Sequence, residues 1–163
     1  EEPKAIVPEG ETARHLAAES ARASLRPAIG DRADELCDAE LTESIYYTVF
    51  PNFHPWGAYN RIVYRFRPYG NDHRRSIMEC MFLSPVTGER PPAAPIHWLT
   101  DDDDWTVATE LGMLGRVFNQ DVYNLPEVQA GLEAMIKPGV TFADYQETKP
   151  RHFHAILDEW IAK

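Results

Sequence analysis

Cysteine is nearly absent: Cys37 and Cys80 are the only two in 163 residues. Two cysteines do not make a disulfide framework or a cysteine-rich zinc site. Cys80 alternates with Met78 and Phe82, the setting of a buried small hydrophobe. Long apolar runs are missing as well. No stretch approaches the roughly 18 apolar residues of a membrane span, and no secretory signal is visible. A soluble, cytoplasmic protein is the expectation. Positive charge is in the minority, with 16 Lys and Arg against 26 Asp and Glu and a formal net charge of −10. That balance is the reverse of a nucleic-acid binder's and sets that class aside. The chain has no H-E-x-x-H or C-x-x-C, no G-x-S-x-G elbow, and no glycine-rich phosphate loop. His152 and His154 form an H-x-H, but on a helix residues two apart point to different sides and do not chelate one metal. His54 and His97 sit in loop-like surroundings and read as structural, while His15 and His73 read as surface residues.

What is present suits one globular domain with a real core: 44% of residues are hydrophobic and 11% aromatic. Residues 1–10 are a polar lead-in. Helical spacing over 11–25 ends at Pro27 and Gly30, and 31–40 could hold a short helix around Leu36. The period then changes. Ser44–Phe50 is β-branched and aromatic with apolar groups on both faces, as in a central strand. Tyr59–Arg67 alternates, with Ile62, Tyr64 and Phe66 inward and Arg61, Arg65 and Arg67 outward. A Gly/Asn/Asp turn joins it to a third strand at Arg75–Leu83, forming a hairpin. A proline-rich excursion follows over 84–95. The last third is helical, with helices over 101–123, 126–136 and 142–161. Helix, antiparallel strands, then helices is the order of an α+β fold. The acidic run Asp101–Asp104 reads as a first helical turn, with Thr100 or Asp101 as N-cap.

One residue stands out by elimination. Val107, Leu111, Leu114, Phe118 and Leu125 make the apolar stripe of the helix expected from residue 101. Asp121 falls within roughly 40° of that stripe at about 100° per residue. A carboxylate in a core needs a pairing cation, a proton or a metal. A bond to an arginine or to Tyr123 would satisfy it. So would escape to solvent if the helix stops at Asn119. Gly115 beside the stripe allows close packing against the sheet, or leaves room for a ligand.

Residues 114–132, LGRVFNQDVYNLPEVQAGL, resemble the C-terminal signature of Rieske-type aromatic-ring-hydroxylating oxygenase large (alpha) subunits. In that signature a helix ends in an E/Q-D pair, here Gln120-Asp121. A Q-x-G-L motif follows, here Gln129-Ala130-Gly131-Leu132. Phe50-Pro51-Asn52, Arg67-Pro68 with Gly70, and a closing helix with Phe153-His154 also fit. The resemblance covers roughly 42–163.

It implies a helix-grip (SRPBCC/START-like) fold, a curved antiparallel sheet packed around a long C-terminal helix. Residues 1–41 would be a helical lead-in, and 42–163 part of the catalytic domain. The resemblance further implies that Asp121 is the carboxylate of a 2-His-1-carboxylate Fe(II) site, with Leu111, Leu114, Phe118 and Leu125 lining an apolar or aromatic substrate pocket. Electrons would arrive from a reductase or ferredoxin through a Rieske [2Fe–2S] cluster, in a homo-oligomer that in the family is a trimer. The pattern is incomplete here. The family's D/E-x-x-H-x4-H-like segment is absent; Glu11–His15 offers one histidine and no second. The C-x-H and C-x-x-H pairs of the Rieske domain are absent too, so the chain supports no [2Fe–2S] cluster of its own. Two expectations stand side by side: a catalytic-domain portion that is inactive alone, or a metal-free helix-grip module for a small apolar ligand, an inactive remnant being its limiting case.

Overall fold

Thr12 begins the first helix: its Oγ1 accepts the His15 N–H at 3.1 Å and caps α1, Ala13–Ile29. The helix runs past Pro27, where the sequence pattern places a stop. Pro27 forgoes one helix hydrogen bond, yet the Gly30 N–H returns to the Arg26 carbonyl and closes the last turn. Gly30, at φ +62°, then turns the chain into a 3-10 segment, Gly30–Glu35, and a short α2, Asp38–Thr42. The single short helix expected near Leu36 is thus two pieces, with Leu36 between them. Ala18, Ala33 and Leu41 are the buried residues of this helical part. The computed structural model describes residues 6–57 and 60–163.

Among the described residues three strands form one antiparallel sheet in the order β1-β2-β3: Phe53–Pro55, Ile62–Tyr69 and Asp72–Phe82. The hairpin of β2 and β3 is the one the alternation predicts, closed by Gly70-Asn71 with Gly70 at φ +58°. Tyr59, expected to open its first strand, lies outside the described residues. Register sets two faces. Ile62–Phe82, Tyr64–Cys80 and Phe66–Met78 share one face with His54, which pairs with Tyr64. Val63–Met81 and Arg65–Glu79 share the other. The register shifts at Pro68/Tyr69, where proline offers no N–H to the ladder.

Ser44–Phe50 is not a continuous strand. It makes two isolated bridges, Tyr46 to Trp56 and Val49 to Phe53. The physical reason is proline: the Pro55 carbonyl accepts from Tyr47 N–H at 3.0 Å, but Pro55 has no N–H to return. His54 therefore lies on β1 rather than in a loop.

The chain divides into two compact units, Glu1–Pro92 and Ala93–Lys163. In the second, the long helix expected over 101–123 is broken. Two 3-10 turns, Trp105–Val107 and Thr109–Leu111, precede α3, Leu114–Tyr123. Gly112, at φ +54°, is a left-handed position and ends the second turn. The acidic run also acts differently from the reading above. Asp103 accepts from Thr100 N–H at 2.7 Å, and Asp104, not Thr100 or Asp101, caps the first 3-10 turn. Next come α4, Leu125–Ala134, and α5, Thr148–Ile161, the latter starting six residues later than the 142 that the pattern indicates. Helices together with an antiparallel sheet make the chain α+β. Among the described residues no helix is long and apolar enough to cross a membrane.

Candidate functional site

α3 carries Gln120 and Asp121, and its orientation is decided at its first turn. Gly115 is buried, and a Cβ there would sit 3.0 Å from the Trp105 carbonyl oxygen and 3.1 Å from the Thr106 Cα. Backbone atoms do not yield as a side-chain tip does, so only glycine permits this approach. Gly115 thus serves packing of α3 on the preceding 3-10 turn. One turn on, Phe118 is 1% exposed with its ring centroid 4.9 Å from that of Trp105. Asn119 completes the seam. Its Oδ1 accepts the Trp105 N–H at 2.8 Å, and its Nδ2 donates to Asp104 Oδ1 at 2.7 Å. That carboxylate also accepts from Thr106 N–H at 2.7 Å and from its hydroxyl at 2.5 Å. These donors, Thr106 first and Asn119 next, hold Asp104 down to a pKa of about 2.

The face of α3 that turns inward therefore comprises Gly115 and Phe118, with Leu114, Asn119 and Val122 half-buried. Asp121 is exposed and its carboxylate meets no partner among the described residues. The expectation that Asp121 lies on an apolar stripe is thereby corrected. Val107 belongs to a separate 3-10 turn and is 50% exposed, so one helical phase does not run from it to Asp121. No burial cost at Asp121 calls for a metal.

The four residues expected to line a pocket part company in the same way. Leu111 is half-buried in the second 3-10 turn and Leu114 half-buried at the start of α3. Phe118 is enclosed against Trp105, and Leu125 is 55% exposed at the start of α4. A shallow open depression in the second unit is lined by other residues: Ala94, Pro95, Ile96, His97, Trp98 and Glu110. There His97 Nδ1 lies 2.9 Å from Glu110 Oε1.

The remaining histidines do not gather. His152 and His154 are both exposed on α5, where the His154 ring lies 5.3 Å from that of Phe142. His54 stacks on Tyr46 at 5.7 Å and meets Thr48 Oγ1 at 3.2 Å; burial pushes its pKa down. His15, read as a surface residue, keeps 44% of its side chain exposed, and its Nδ1 lies 2.8 Å from Asp38 Oδ2. Cys80 is half-buried on the sheet, and burial raises its thiol to about 12, so it is no nucleophile. Among the described residues no three His, Cys, Asp or Glu side chains are grouped so as to hold a metal ion. A facial triad needs two imidazoles beside the carboxylate, and Asp121 has neither. The donor set of these residues does not fit an iron site by itself.

Two polar clusters escaped the sequence reading. The Asp104–Asn119 seam had a faint signal, since Asp-x-Thr favours local side-chain turns. The Arg22–Asp38–His15 cluster had none, because its members are remote in sequence.

Comparison with known families gives a single result over nearly the whole chain. The model of a family described as ring hydroxylating alpha subunit (catalytic domain) matches residues 6–163. No curated protein and no solved structure matches the chain.

Proposed function

This chain belongs to the ring-hydroxylating alpha-subunit catalytic-domain family, and from that membership we propose that it is the C-terminal portion of the catalytic domain of a non-heme iron oxygenase that hydroxylates an apolar, aromatic substrate with dioxygen. The observation that carries this reading is the extent of the match, 6–163, which takes in both halves of the Gln120-Asp121 and Gln129–Leu132 signature. Family membership supports the finer assignments of this proposal. Residues 42–163 are part of a helix-grip domain preceded by a helical lead-in. Asp121 is the chain's contribution to the iron site, and Leu111, Leu114, Phe118 and Leu125 form part of the substrate wall. The exposure of Asp121 is compatible with that role, since a ligand awaiting donors from elsewhere has no partner of its own. The described residues supply one donor of three. The remaining donors and the [2Fe–2S] cluster come from another portion of the subunit or from a neighbouring copy, as in a trimer, and a ferredoxin or reductase supplies electrons. The setting is cytoplasmic.

A second reading is favoured by the lack of a three-ligand group among the described residues. In it the chain is a metal-free module that binds a small apolar ligand, or an inactive remnant of an oxygenase.

Anaerobic Fe(II) titration separates the two. The chain is titrated alone and together with an alpha-subunit segment that carries a histidine pair. Under the first reading Fe(II) binds stoichiometrically only in the mixture, and Asp121→Ala abolishes it. Binding that survives Asp121→Ala removes Asp121 from the site. No binding in the mixture, with naphthalene or a similar hydrocarbon still quenching tryptophan fluorescence, establishes the metal-free module.

A further inference from the structure

The helical part of the first unit buries few side chains fully, although Leu16, Leu25, Ile29 and Leu36 are half-buried. Its buried residues are Ala18, Ala33 and Leu41, two of them the smallest side chains with a Cβ. Burial of methyl groups contributes little at roughly 25 cal/mol per Å². Charged groups add to the joining. Arg22 on α1 is the centre, with only 11% of its side chain exposed. Its guanidinium donates to the Leu36 carbonyl, at 2.8 Å from Nη2 and 3.2 Å from Nε, and to Asp38 Oδ1 at 2.6 Å. It also pairs with Glu19. The second oxygen of Asp38 faces His15 Nδ1 at 2.8 Å. One carboxylate thus ties two points of α1, a helical span of seven residues apart, to the first turn of α2. Two outer pairs flank it: Arg26 with Asp34 of the 3-10 segment, and Arg14 with Glu43 just past α2.

We propose that α1, the 3-10 segment and α2 form an electrostatic clasp, closed by the Arg22–Asp38–His15 triad, that opens as one unit while the β2–β3 hairpin stays folded. The inference does not depend on the oxygenase reading. A partly buried guanidinium bonded to a carbonyl and a carboxylate is costly to leave unpaired, so loss of Asp38 releases both helices together.

The clasp has a pH window. Asp38, by hydrogen bond and charge, raises the His15 pKa, and Glu11 and Glu19 add to it. Arg22 first and then His15 lower that of Asp38. Of the other charged groups on the packed elements, Glu40 accepts the Cys37 N–H and Asp34 holds Arg26. A histidine with a raised folded pKa stabilises fully below its usual 6.5, and that contribution is lost as pH rises through the raised value. An aspartate with a lowered folded pKa stabilises above its usual 3.8, and that is lost as pH falls through the lowered value. The clasp is tightest in between, in mildly acidic solution.

Hydrogen exchange by mass spectrometry on the full chain tests this. Protection of α1 and α2 should fall together from mildly acidic to mildly alkaline pH and in about 1 M salt, while that of the hairpin persists. Asp38→Asn should speed exchange of both helices by about tenfold. His15→Gln should flatten the pH dependence and keep most of the protection. Helices and hairpin exchanging as one unit would overturn the proposal, and so would an unchanged pH profile in His15→Gln. The second variant decides even if Asp38→Asn fails to fold.

Discussion

The β2–β3 hairpin and the α3 segment are held by opposite means. The hairpin is a ladder of repeated backbone bonds, with each cross-strand pair adding a little. α3 rests on one seam, where a glycine, a phenylalanine and an asparagine meet a three-residue turn. Loss of one pair in a ladder is shared among the rest, whereas loss of one member of a seam is not. The helix bearing Asp121 is therefore anchored through its first six residues. Asp121 lies beyond that anchorage, on the exposed side.

The largest expected effect breaks the seam at its apolar point. Phe118 is 1% exposed and meets Trp105 at 4.9 Å. Phe118→Ala removes both burial and ring contact and is expected to cost about 3–5 kcal/mol. Exchange protection of α3 should collapse, while β2 and β3 keep theirs. Equal loss in both regions would mean that the two are not separately held.

A smaller effect tests the polar point. Asn119→Ala leaves the Trp105 N–H without its acceptor and takes a donor from Asp104, a loss of about 1 kcal/mol. Asp104 gives the pH dependence. Its pKa lies near 2, below its usual 3.8, so its contribution is present above the usual value and fades as pH falls toward 2. Acid unfolding followed by tryptophan fluorescence should shift in Asp104→Asn, which lacks that titration. The hairpin's exchange should not change.

The same contrast explains what was legible in the sequence. The hairpin alternates residue by residue, so Ile62, Tyr64 and Phe66 could be put on one face and the turn at Gly70-Asn71 found, but the burial of Val63 on the other face was not legible. α3 was legible as a helix, but its start was not. Gly112 reads as a tolerated glycine within a helical pattern, and only its φ of +54° shows a stop. Once the stop is known, the phase from Val107 to Asp121 dissolves, and with it the carboxylate on an apolar stripe. Asp121 stands out in the sequence by that stripe, and once the stripe dissolves only the short signature Gln120-Asp121 and Gln129–Leu132 still points to it. Ser44–Phe50 failed for a related reason: its composition is that of a strand, but its partner segment carries Pro55. The ion pairs of α1 were invisible because periodicity carries no information about which distant charges meet.

The smallest effect sharpens the comparison from the ladder's side. Glu79 on β3 pairs with both Arg65 and Arg67 of β2, and its side chain is 22% exposed. Arg65 first, then Arg67, hold its pKa below the usual carboxylate range. It joins two arginines of the neighbouring strand, yet it sits near solvent and alongside continuous backbone bonding. Glu79→Gln is therefore expected to cost less than about 1 kcal/mol, and less again in high salt. Denaturant midpoints read on the hairpin's amides at low and high salt measure both. A loss as large as that of Phe118→Ala would show that the hairpin, too, depends on one side-chain knot, and the distinction between ladder and seam would fail.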